Sequence, residues 1–393
     1  MFVAALRARV PRLLRPAALL LLTACATPYS PPKLEPVDSE FPGALQLLDQ
    51  HRALHVVWIH GMCPHTKEDW ADVRRDELAA RLKIDKGPDA KPVADFIYRY
   101  ELTYQGMPIT LDMIVWSQLI DERRASLCFD SRPANEGVVH DACKNTKADY
   151  PYARAKLNDA LKSGLMNSCL ADAMIYIGAQ GEEIRARIRP EIEKALGIDV
   201  AKSATGEAPA VMLVSESLGS KVMFDVLQEI VKGASRTAAA TRAKQTLDRT
   251  RQLVMFANQV PILDLTGPKP TPEQKRRGVE QGEGSSLRTF LEALPPPPTP
   301  KGVQPRARDT RRRIVAFTDP NDLLSYRFPK GYFLESENIE AVNVLVSNDR
   351  AWFGFLENPT TAHRTYGKND DVMALFLCGK PAMDTGCPVK ARR

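Results

Sequence analysis

The chain has 393 residues, 44% hydrophobic and 26% charged, enough to bury one large core or two modest ones. That balance excludes a disordered chain or a long coiled coil. The formal net charge of +6 is no argument for nucleic-acid binding, because Arg7, Arg9, Arg12 and Arg15 all stand in the N-terminal segment.

Those arginines, with no acid among them, precede a short apolar run from Ala17 to Leu22. The run is too short to span a bilayer as a helix. It ends in Leu22-Thr23-Ala24-Cys25, and the whole segment resembles a bacterial lipoprotein signal. The resemblance implies cleavage of residues 1–24 and a lipid on Cys25. An ordinary signal peptide cut elsewhere is the alternative. Loss of the four arginines lowers the charge from +6 to +2, so no nucleic-acid partner is expected. By the same resemblance, Ala26 rather than Asp after the Cys implies sorting to the outer membrane, facing the periplasm. Residues 25–49, proline-rich from Pro28 to Pro42, read as the lipidated Cys and an extended tether. Residues 50–393 read as one domain.

Six further cysteines follow: Cys63, Cys128, Cys143, Cys169, Cys378 and Cys387. An even count in an exported chain suggests disulfides. The spacing has no paired zinc pattern, so no metal centre is expected. Short loops favour Cys128–Cys143 and Cys378–Cys387, which leaves Cys63–Cys169.

Leu54–Ile59 is a compact apolar run and predicts a buried strand leading into His60-Gly61-Met62. Phe96–Tyr104 and Ile109–Trp116 predict two more strands, reversed at Gly106-Met107-Pro108. Residues 118–165 are polar and read as an insertion over the sheet. Cys169–Leu196 predicts one long helix, with Ile177, Ile184 and Ile188 near one face. Val211–Val214 predicts a strand and Leu218–Val231 a helix. Leu253–Phe256 predicts a strand continuing toward Val260-Pro261-Ile262. Residues 266–313 carry a proline run and basic clusters and read as a second insertion, with a short helix at Ser286–Leu294. It reads as a solvated segment, or else as a lid or a contact with anionic lipid heads. Strands at Arg313–Phe317 and Val342–Val346 and a helix at Val372–Leu377 close the chain. Strands alternating with helices imply a mostly parallel sheet covered on both faces.

The chemistry-bearing segment is Val214-Ser215-Glu216-Ser217-Leu218-Gly219. A strand meets a small-x-Ser-x-Gly turn and then a helix, the context a nucleophile elbow requires. Here the sequence resembles the α/β-hydrolase superfamily, over about residues 50–380. Ser215 stands where a glycine is usual. A plain strand–turn–helix with serines at a cap is the competing reading. The resemblance implies Ser217 as nucleophile and an oxyanion hole from the backbone N–H groups of Leu218 and Met62. Acid and base should follow in that chain order. Asp322, with Asp319 as alternative, lies in the loop after the Arg313–Phe317 strand, and His363 is the one histidine beyond it. Asp319 precedes Pro320 and suits a turn-shaping role, whereas Asp322 suits the triad. His55, His65 and His140 are expected in packing or loop roles; a metal site built from His60, His65 and a carboxylate is the minor alternative. The reading implies a small-molecule or lipid ester substrate, a membrane held through the lipid anchor, and no cofactor. Acyl transfer or peptide cleavage with the same triad is one rival. A non-catalytic ligand- or partner-binding lipoprotein on the same scaffold is another.

Overall fold

The computed structural model describes residues 26–27, 29–130, 154–233, 237–267, 272, 276, 285–296, 311–333, 339–352, 357–389 and 391. The expected signal, Cys25, His140, Cys143 and much of both expected insertions lie outside the described residues.

Among the described residues, nine strands form the main sheet, numbered here in chain order: β1 (Lys33–Glu35), β2 (Leu54–Ile59), β3 (Lys91–Ala94), β4 (Ile97–Tyr104), β5 (Met107–Ile114), β6 (Ala210–Glu216), β7 (Thr250–Phe256), β8 (Arg312–Thr318) and β9 (Ile339–Leu345). Their spatial order is β1-β9-β8-β7-β6-β2-β5-β4-β3. The six from β9 to β5 run parallel, and β1, β4 and β3 are antiparallel to their neighbours at the two edges. Every residue of β2 is buried, as expected of a central parallel strand covered on both faces.

Alternation along the strands sorts the core into two halves. Val57, Ile59, Val211 and Leu213 face the helices Gln180–Leu196 and Gly219–Lys232. Val56, Trp58, Met212 and Val214 face the helices Ala44–His51, Asp72–Leu82 and Asp370–Cys378. Helix Gly219–Lys232 forms because Val222, Met223, Val226, Leu227 and Ile230 repeat at helical spacing. The chain places β5, β4 and β3 on one side of β2, then returns to lay β6, β7, β8 and β9 on the other. That reversal opens a crevice at the carboxyl ends of β2 and β6, where ligands bind in open α/β sheets. The fold is an α/β-hydrolase fold, a mostly parallel sheet with helices on both faces.

Four elements differ from the sequence expectation. The helix expected over Cys169–Leu196 is broken at Gly178, whose extended backbone (φ −73°, ψ −168°) separates Ala171–Ile177 from Gln180–Leu196. A π-helical segment, Leu161–Leu170, precedes them. Val260-Pro261-Ile262 does not prolong β7 but turns into a short helix, Val260–Leu263, with Pro261 in the first turn where no N–H is required. The hairpin reversal falls on Gln105 and Gly106, both at positive φ, so β5 starts at Met107. The segment read as a tether is built into the fold: β1 pairs with β9, Phe41–Pro42 pairs with Gly379–Lys380, and Ala44–His51 is a helix on the core.

Two of the expected disulfides are present, Cys63–Cys169 and Cys378–Cys387. Cys128 is also disulfide-bonded. Among the described residues, no helix is long and apolar enough to cross a membrane.

Candidate active site

Ser217 follows β6 and precedes the helix Gly219–Lys232. Its backbone lies at φ 52°, a left-handed conformation that a serine adopts only where its surroundings hold it. Those surroundings are visible. Ser217 N–H donates to Phe256 O at 2.8 Å, and Ser217 O accepts from Ser220 N–H and Ser220 Oγ. Two glycines allow the turn to approach the loop after β2. A Cβ on Gly219 would meet His60 O at 2.3 Å, and one on Gly61 would meet Ser217 Cβ at 2.7 Å. Ser215, by contrast, sits at the end of β6 opposite Ile59 and Met255, and needs no unusual backbone.

The structure brings Ser217, His363 and Asp322 into one hydrogen-bonded chain. Ser217 Oγ lies 3.0 Å from His363 Nε2. His363 Nδ1 lies 2.9 and 3.0 Å from the two Asp322 oxygens. His363 stands on a short helix, Pro359–Arg364, rather than in a loop; Asn358 caps it by accepting from Thr360 and Thr361 N–H. The Asp322 side chain is wholly buried. Burial alone would raise its carboxyl, but the hydrogen bonds and charge of His363, with Leu324 N–H and the Tyr366 hydroxyl, outweigh it and hold the group below the usual carboxylate value. Asp322 is therefore an anion pinned against the imidazole.

Asp319 is also buried but does not reach His363. Its two oxygens accept Asn321 N–H at 2.9 Å and Asn348 N–H at 2.6 Å. It braces the turn that presents Asp322 and ties it to the loop after β9. Burial, opposed by those two N–H groups, leaves its carboxyl above the usual range.

On the other side of Ser217 lies the His60-Gly61-Met62 loop. His60 is fully buried and stacks on Trp116 with ring centroids 5.6 Å apart. Desolvation pushes its pKa well down, so the ring is neutral. Ser117 N–H donates to Nε2 at 3.3 Å, which leaves Nδ1–H to donate to Gly61 O at 2.7 Å. In a trans peptide the C=O and the following N–H point in opposite directions. The His60 bond therefore turns Met62 N–H away from the ring. The next residue, Cys63, is held at φ 80° by its disulfide to Cys169 and by donation of its N–H to Asp172 at 2.8 Å. Asp172 is itself paired with buried Arg124 at 2.8 Å. Neither Met62 N–H nor Leu218 N–H has an acceptor among the described residues.

A pocket of about 520 Å³ opens over these groups, lined by Met62, Ser217 and His363 among others. Sequence reasoning missed three participants. Glu216, next to the serine, turns to the opposite face of the strand. There it accepts from Arg74 Nε at 3.0 Å, Trp58 Nε1 at 3.1 Å and Trp70 Nε1 at 3.3 Å, forming one polar wall of the pocket. A charged residue at the end of a strand that is apolar through Val214 was the available signal. Tyr366 donates to Asp322 at 3.0 Å and accepts from Asp319 N–H at 2.7 Å. Asn348 N–H bonds Asp319, and its Nδ2 donates to Ala362 O at 2.6 Å. Nothing local in the sequence marks either. His55 is buried in β2 with Asp112, and His65 lies in the loop beside His60. Among the described residues no group of His, Cys, Asp and Glu could hold a metal ion.

No family model and no curated protein sequence matches the chain. Among solved structures, the chain is similar to an esterase, LipW from Mycobacterium marinum, at 11% identity and TM-score 0.22 over 93% of this chain and 86% of that one. Strand order and register, not that likeness, define the fold.

Proposed function

We propose that the protein is an exported, lipid-anchored serine hydrolase that cleaves carboxylic esters. The observation that carries the reading is the strained Ser217, with Oγ 3.0 Å from an imidazole whose far nitrogen is held by a buried carboxylate. Ser217 Oγ attacks the ester carbonyl carbon while His363 Nε2 takes its proton. Asp322 fixes the imidazole tautomer and stabilises the cation. The oxyanion forms between Met62 N–H and Leu218 N–H, the latter at a helix start, each donor worth about 3–4 kcal/mol. The tetrahedral intermediate collapses as His363 protonates the departing alcohol. Water then attacks the acyl-serine, gives its proton to His363, and releases the carboxylic acid with Ser217 restored. No step calls for a cofactor.

Export and anchoring rest on the Leu22-Thr23-Ala24-Cys25 segment, with placement in the outer membrane facing the periplasm. The Cys63–Cys169 and Cys378–Cys387 disulfides favour an oxidising compartment. The test is labelling with a fluorophosphonate probe together with hydrolysis of p-nitrophenyl esters. Stoichiometric modification of Ser217 is expected. A folded protein whose Ser217 stays unmodified would return the reading to a non-catalytic scaffold.

A further inference from the structure

The N-terminal chain leaves the fold beside the pocket. β1 runs antiparallel to β9, with Lys33 opposite Leu345, so the residues before Lys33 pass the carboxyl end of β9. Ala26 and Thr27 then pair with Trp352 and Ala351. Trp352 is four residues from Asn348, which bonds both Asp319 and the backbone of Ala362, next to His363. Four residues span at most about 14 Å. The residue after Cys25 is therefore within roughly 25 Å of the His363 helix, once about 5 Å for a strand pair and the reach of the Asn348 side chain to Ala362 O are added. The opposite end of the sheet is farther by the length of a seven-residue strand, about 23 Å.

The same end carries large exposed apolar side chains. Phe129 (70% exposed), Leu265 (78%) and Leu323 (67%) lie on segments that follow β5, β7 and β8. Leu323 directly follows Asp322, and Tyr326 joins the last two segments through Asn258, with N···O distances of 2.7 and 2.8 Å. Arg364 and Lys368 add exposed cations at the pocket. Exposed apolar side chains with cations at the same end suit an interface with anionic lipid.

We infer that this end of the sheet docks on the membrane that holds the lipid on Cys25, so that the pocket opens toward the leaflet and takes esters from its surface. The inference rests on the lipoprotein and hydrolase readings and adds the orientation. The competing face is the opposite end, where Arg251, Arg311 and Arg313 line a groove of about 760 Å³.

The test compares the lipidated full-length protein on phosphatidylethanolamine–phosphatidylglycerol vesicles and in detergent micelles, by hydrogen exchange. Exchange over residues 258–267 and 319–326 should slow at least about fivefold on vesicles, with none at residues 104–106 and 311–313. In the same vesicles, Phe129→Ser with Leu265→Ser should lower turnover of an embedded ester about fivefold or more and leave a soluble short-chain ester unaffected. Slowing at the arginine-lined end, or at neither end, overturns the orientation. Mass analysis of the N-terminal peptide reports the lipid, and fluorophosphonate labelling reports Ser217. An unlipidated Cys25 thus overturns the orientation through the anchor, and an unlabelled Ser217 through the hydrolase reading, each distinguishable from a wrong face.

Discussion

Among the described residues, two histidines meet a fully buried aspartate, and only one of these pairs is a candidate for chemistry. At the carboxyl ends of the strands, His363 Nδ1 meets Asp322 at 2.9 Å and leaves Nε2 against Ser217 in a pocket. Within the sheet, His55 Nε2 meets Asp112 at 2.8 Å, but Asp112 is shared with Arg99 at 2.6 and 2.7 Å. His55 Nδ1 has no partner among the described residues, and neither side chain is exposed. In both places burial would raise the carboxyl, and the partners' charges and hydrogen bonds outweigh it and hold it low. Electrostatics alone does not tell them apart. What separates them is the free nitrogen of the imidazole: one faces a nucleophile in an open pocket, the other is buried with no nucleophile bonded to it.

The comparison breaks first at Ser217. Ser217→Ala should lower ester turnover by about 10³-fold or more with an unchanged melting temperature, since it removes the nucleophile and nothing structural. Full turnover by the folded variant would end the assignment. Next comes the acid. Asp322→Asn should cost roughly 10²–10⁴-fold in kcat, because the imidazole loses the anion that sets its tautomer. Asp319→Asn should chiefly lower stability, because Asn321 and Asn348 N–H groups lose their charged acceptor. Turnover per folded molecule for both variants decides it; a stable but inactive Asp319→Asn beside an active Asp322→Asn would exchange the roles.

How far the sequence carried differs on the two sides of Ser217. The elbow and the His60-Gly61 loop are short, contiguous and tied to strand ends, so pattern and spacing locate them. Asp322 and His363 follow from chain order because few candidates lie beyond β8. Their support was not legible. Tyr366 and Asn348 act through contacts spanning 44 and 29 residues, and neither has a local pattern. The edge strand β1 failed for another reason. Its prolines read as a tether, but Lys33–Glu35 needs only the free edge of β9 to pair with, and sequence periodicity does not report a free edge. The break at Gly178 was missed because the apolar spacing runs on through it.

In the other pair, Asp112→Asn should leave kcat per folded molecule unchanged and destabilise the fold by about 3–5 kcal/mol, since it strips buried Arg99 of its anion. Chemical denaturation alongside turnover checks this. A loss of kcat with retained stability would mean that the sheet interior feeds the site. Between these extremes stands the Cys63–Cys169 disulfide, which anchors the residue after Met62. Cys63→Ser with Cys169→Ser should lower kcat about tenfold, less than the 10²–10³ expected for loss of a whole oxyanion donor, because Asp172 still holds Cys63 N–H. An unchanged kcat would show that the Asp172 hydrogen bond alone holds the loop that carries Met62.

The smallest expected effect concerns pH and lies behind the acid loop. Glu357 accepts from Asn321 Nδ2 at 2.6 Å and Asp349 N–H at 3.1 Å, and burial, with the nearby Asp319 charge, raises its pKa to about 7. The folded protein thus holds a proton that the unfolded chain releases near pH 4.5. A raised carboxyl favours folding less as pH climbs: stability should fall between the unfolded value and about 7, and level off above it. Asp112 and Asp322, held low, have the opposite sign and lose their contribution only in acid. Glu357→Gln keeps an acceptor for Asn321 and removes the titration. The variant should melt higher than the parent at pH 8 and differ little at pH 4, where Glu357 is protonated in both states. Thermal melts at the two pH values decide it. A variant less stable at pH 8 would show that the ionised carboxylate, not its protonated form, braces the turn carrying Asp319 and Asp322.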